Sequence, residues 1–127
     1  MINKIIHFSD LHLRLFKEHD RYREVLTECF TQWKKLNPDR IVFTGDLVHS
    51  KNQMTPELLD IVSWVLIECE SICPVVILIG NHDFLENNQD RLDTLSPIIK
   101  NLNKPNISYF KHTGCYDDDN VFFDGGE

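Results

Sequence analysis

Three short motifs carry side chains of the kinds that hold metal ions: Asp10-Leu11-His12, Gly45-Asp46 and Gly80-Asn81-His82-Asp83. Asp10, His12, Asp46 and Asn81 together offer carboxylate oxygen, imidazole nitrogen and amide oxygen. That mixture suits Mn²⁺, Fe²⁺ or Zn²⁺ better than Ca²⁺, which favours an all-oxygen cage. Asp46 is the natural bridge, because one carboxylate can give an oxygen to each of two ions. Asp10 and His12 then flank the first ion, and Asn81 offers its amide oxygen to the second. Two divalent ions about 3.5–4 Å apart can grip a phosphoryl group and lower the pKa of a water enough for attack near neutral pH. Phosphoester hydrolysis is the reaction class that most needs such an arrangement. His82 is left to protonate or hydrogen-bond the leaving oxygen, with Asp83 orienting its ring.

Something must bring the motifs together. Each follows a short apolar run rich in β-branched residues: Lys4-Ile5-Ile6-His7-Phe8, Ile41-Val42-Phe43-Thr44 and Val75-Val76-Ile77-Leu78-Ile79. Runs of that length bounded by Pro, Gly or Asp read as buried strands. In open α/β sheets, sites form in the crevice at the carboxyl ends of the strands. Between the first two motifs, Tyr22, Val25, Leu26, Cys29, Phe30, Trp33 and Leu36 recur every three or four residues, which predicts an amphipathic helix over 19–36 stopped by Asn37-Pro38. Between the second and third, Thr55-Pro56 supplies an N-cap and a proline at the first helical position, and Pro74 closes the helix. The order is β-α-β-α-β, which implies right-handed crossovers and a largely parallel sheet with helices packed on it. Beyond it, residues 89–101 read as helical, 107–110 and 121–123 as strands, and the acidic stretch through Asp117, Asp118 and Asp119 as a solvated loop.

Composition narrows the function classes. At 127 residues and 42% hydrophobic, the chain has room for one core, so residues 1–127 read as a single domain. Its formal charge of −7 argues against gripping nucleic acid by bulk positive potential, so any DNA contact is local or shared with a partner. Cys29, Cys69, Cys73 and Cys115 form no CxxC pair, and the chain opens directly on a strand with no secretory pattern, which together point to a reduced, cytoplasmic protein. No run reaches membrane-spanning length.

The motif series, with 36 residues from Asp10 to Asp46 and 34 from Asp46 to Gly80, resembles the calcineurin-like metallophosphoesterase superfamily. Within it, the stretch from Phe8 to Leu47 and the tract from Pro97 to Asp124 look most like the Mre11/SbcD nucleases, a group that includes a phage recombination endonuclease subunit. The resemblance implies a sheet sandwich flanked by helices, of which this chain is the N-terminal part. It also implies two divalent metal ions, Mn²⁺ foremost with Fe²⁺, Zn²⁺ or Mg²⁺ as alternatives. Asp10, His12, Asp46 and Asn81 are then the ligands, and His82 acts on the leaving group. As partners it implies DNA and a Rad50/SbcC-like ATPase, with a homodimer compatible and no membrane. The family's remaining ligands are later histidines, a lone one and a His-x-His pair. The sole histidine after the third motif, His112, has no second histidine two residues on.

Other charged and imidazole groups have plainer readings. His7 sits inside a strand as a core or sheet-face histidine rather than a ligand, while His19 and His112 read as surface residues. His49, three residues past Asp46, is a substrate-contact candidate, and Arg14, Lys17 and Lys51 are placed to meet phosphates. Two further functions compete with a DNA nuclease: a phosphatase or phosphodiesterase acting on phosphoproteins or small molecules, and an inactive fragment or partner-binding module.

Overall fold

Four short strands lie side by side in the order β1 (Ile5–Phe8), β2 (Arg40–Phe43), β3 (Val75–Leu78) and β4 (Ile107–Phe110), every neighbouring pair parallel. Helices α1 (His19–Leu36), α2 (Pro56–Ile72) and α3 (Ser96–Leu102) connect them in turn, and a separate antiparallel hairpin, β5 (Gly114–Asp118) with β6 (Val121–Gly125), follows. This computed structural model describes residues 2–13, 18–44, 55–78, 96–110, 114–118 and 121–125. The architecture is α/β, a parallel sheet flanked by helices, as the alternation of strand and helix patterns requires.

The helix boundaries have local causes. In α1, Asn37 adopts a left-handed φ of 53° and returns its N–H to the Lys34 carbonyl, ending the helix before Pro38. In α2, the Thr55 side chain accepts a hydrogen bond from the Leu58 N–H at 3.1 Å, and Pro56 occupies a first-turn position where no intrahelical donor is needed. The Arg23 guanidinium ties the two helices, donating to Asp60 Oδ2 at 2.7 Å and standing 5.0 Å from the Trp64 ring centre.

The core lies between the sheet and the helices. Ile41, Phe43, Val75, Ile77 and Ile107 from the strands meet Leu26 and Phe30 of α1, Ile98 of α3, and the broad apolar face of α2 running from Leu58 to Cys69. Val42 and Val76, which alternate to the opposite face, are also buried. The two middle strands are therefore covered on both sides, as the continuous apolar runs demand.

The structure corrects one segment. Asp117 and Asp118 belong to β5, paired with Phe122 and Val121 of β6, rather than to a loop. Two residues, Asp119 and Asn120, separate the strands, and both are turn formers. Their acidity drew the whole run into the loop although the strand signal lies in the neighbouring Cys115-Tyr116. The helical reading of 89–101 corresponds to α3 over its second half, while residues 89–95 and Ile79 lie outside the described residues.

Candidate metal centre

The register of the sheet aligns the ends of the three strands that precede the motifs in sequence. Phe8 pairs with Phe43 and Phe43 with Ile77, so one hydrogen-bonded row crosses β1, β2 and β3. Asp10 lies two residues beyond that row on the first strand, Asp46 three beyond it on the second, and Asn81 four beyond it on the third. Neighbouring strands are about 4.8 Å apart, so the three exits span only about 10 Å along one carboxyl-end edge. The middle exit belongs to β2, the strand that leads to Asp46.

The first motif is a turn with two left-handed residues. Asp10 has φ 59° and His12 φ 49°. Asp and His are among the non-glycine types enriched in this region, yet each such residue costs up to about 1–3 kcal/mol, and such strain clusters at functional sites. The turn brings His12 Nε2 to 3.6 Å from Asp10 Oδ1, while Ser9 Oγ donates to Asp10 Oδ2 at 2.6 Å. The His12 side chain is 39% and that of Asp10 61% exposed, so both reach the solvent side of this edge. One carboxylate and one imidazole are a donor set that fits a divalent metal ion. Among the described residues no group of three potential Asp, Glu, His or Cys ligands forms. The remaining expected ligands, Asp46 and Asn81, lie outside the described residues, as do His82, Asp83, His49, Arg14, Lys17, Lys51 and His112.

Three contacts that hold this edge were not anticipated from the sequence. The side chain of Leu13, directly after His12, is fully buried in the core and anchors the outgoing end of the turn. The Tyr22 hydroxyl of α1 donates to the Leu11 carbonyl at 2.9 Å and lies 3.4 Å from the His12 carbonyl. His7 Nε2 is 3.0 Å from Thr44 Oγ1, and the Thr44 N–H donates to the Phe8 carbonyl, which cross-links the ends of β1 and β2 immediately before Gly45-Asp46. Helical spacing marked Tyr22 as a core residue; its polar tip, on a helix starting a few residues after the motif, was the available signal. Of the core and sheet-face readings of His7, the exposed sheet-face one holds, and its partner is Thr44.

Residues 3–127 match the Calcineurin-like phosphoesterase family, and the chain belongs to it. That is a family of phosphoester hydrolases that use divalent metal ions. The chain is 41% identical over 126 residues to Uncharacterized protein R555 of Acanthamoeba polyphaga mimivirus, a match covering 96% of the chain and 9% of that protein. It is 30% identical over 89 residues to the protein named Putative phosphoesterase 244L of Invertebrate iridescent virus 6, covering 70% of the chain and 30% of the relative. The chain thus spans less than a third of the length of either curated relative.

Proposed function

We propose that this chain forms the metal-holding front of a phosphodiesterase that cleaves DNA, working with Mn²⁺ and alongside a Rad50/SbcC-like ATPase inside the cell. The observation that carries the proposal is the strand order. Because β2 lies between β1 and β3, Asp46 follows the one of these three strands adjacent to both others, a position that would suit a carboxylate offered to both ions. In this reading Asp10 and His12 would hold the first ion and Asn81 would hold the second. Bound divalent ions supply positive charge to the phosphoryl oxygens and make a water acidic enough to attack.

The chain's own residues do the rest. Ser9 holds one oxygen of the Asp10 carboxylate and leaves Oδ1 beside the His12 imidazole. His82 donates a proton to the departing oxygen, Asp83 steadies its ring, and His49 contacts the substrate. A net charge of −7 gives no general attraction for DNA, so the duplex is held locally or by the partner ATPase. The free thiols of Cys29, Cys69 and Cys73 suit a reducing compartment.

Incubation of the protein with Mn²⁺ and either linear duplex DNA or a chromogenic phosphodiester tests the substrate class. The expected result is DNA cleavage that is lost in His82→Ala with Mn²⁺ binding retained. Turnover of the small ester with no DNA cleavage at any Mn²⁺ level would overturn the nuclease reading, and loss of metal in His82→Ala would overturn the role given to that histidine.

A further inference from the structure

We infer that Tyr22 is a positioning residue for the Asp10–His12 pair. Its hydroxyl holds His12 in the left-handed conformation that turns the imidazole toward the Asp10 carboxylate.

Two peptide planes set the conformation of His12. The Leu11 carbonyl belongs to the peptide unit that precedes His12, and the His12 carbonyl to the unit that follows it. A donor anchored between these two oxygens, at 2.9 and 3.4 Å, fixes both planes that define φ and ψ of His12. A phenol carries one proton, so the shorter contact is the hydrogen bond and the longer one shares it. The anchor is firm, because the Tyr22 ring packs against the core and its backbone N–H donates to the Glu18 carbonyl at 2.9 Å in the first turn of α1. Buried Leu13 fixes the chain just beyond His12, and β1 fixes it before Ser9. Within that span His12, at φ 49°, sits in a region most residues avoid, and Tyr22 is a helix residue reaching the turn from outside it. Side chains that orient ligands in this indirect way typically govern metal affinity about 10- to 100-fold.

The consequence for metal binding rests on the function proposed above, so the test separates the two. Tyr22→Phe keeps the ring and removes only the donor. On the full chain, Mn²⁺ titration followed by electron paramagnetic resonance is expected to show affinity reduced about 10- to 100-fold in Tyr22→Phe. Leu26→Val, which disturbs the same helix where it meets the core, should lower the unfolding midpoint without that loss of affinity. Equal Mn²⁺ affinity in Tyr22→Phe and wild type, or an equal loss in Leu26→Val, would overturn the positioning role. If wild type binds no Mn²⁺, the metal reading fails, and backbone carbon chemical shifts of Asp10 and His12 in the metal-free protein decide. Loss of their left-handed signature in Tyr22→Phe upholds the inference, and unchanged shifts overturn it.

Discussion

Asp10 and His12, the candidate ligands of the first motif, build their turn from residue types that tolerate a left-handed backbone. Asp10→Asn retains that tolerance and the side chain's size but removes the charge. Its thermal midpoint should stay near wild type while Mn²⁺ binding and hydrolysis are lost, as calorimetry beside a metal titration would show. A β-branched residue at the same position, as in Asp10→Val, should instead destabilise the chain by about 1–3 kcal/mol, measured by urea unfolding, because φ 59° crowds its branched Cβ. The residue types of this site were legible in the sequence, since their chemistry needs no coordinates to be named. The contacts that hold them were not, because Tyr22, Leu13 and Thr44 are ordinary types whose roles come from which carbonyl, cavity or ring they meet in three dimensions.

At the scale of elements, periodicity and punctuation gave α1 and α2 almost to the residue, and the caps explain why. Thr55→Ala leaves the Leu58 N–H without its side-chain acceptor and should cost about 1 kcal/mol of stability by denaturant unfolding. Asp39 performs a similar service between elements: the N–H groups of Asn3 and Lys4 donate to its Oδ2 at 2.8 and 2.9 Å, joining the start of β1 to the turn before β2. These two bonds, Asn3 foremost, hold its carboxyl below its ordinary 3.8. A lowered folded-state pKa stabilises above the unfolded value and is lost as pH falls through the folded one. Asp39→Asn should therefore be less stable than wild type at neutral pH, with the gap closing below about pH 4 in unfolding curves. The hairpin was half legible. Val121 to Phe123 showed an apolar strand, whereas Asp117 and Asp118 concealed its partner, because backbone pairing with β6 is a property of two segments that composition of one does not display.

For the molecule as a whole, parallel pairing makes the three strand ends a single edge, and the proposed chemistry depends on that. The same burial that builds the sheet's support sets an alkaline limit. Burial pushes the Cys69 thiol up to about 12 and Cys73 up to about 11, from an ordinary 9.0. The raised folded values leave stability intact below pH 9, then erode it as the unfolded chain's thiols ionise first. Unfolding free energy should fall as pH rises between 9 and 12, and Cys69→Ala should flatten that slope relative to wild type. Fold class was readable because strand–helix alternation, loop punctuation and a single core leave few arrangements. The ligands beyond the third motif, by contrast, are supplied by no residue pattern in these 127 positions.

The proposed chemistry requires separated turns at one sheet edge to share cations through Asp46. Anomalous diffraction at the manganese edge, from crystals grown with Mn²⁺, tests this most directly. The account predicts manganese bound by the Asp10 carboxylate and the His12 imidazole, with the Asp46 carboxylate reaching that same ion. Manganese that never contacts Asp10 and Asp46 together would contradict it.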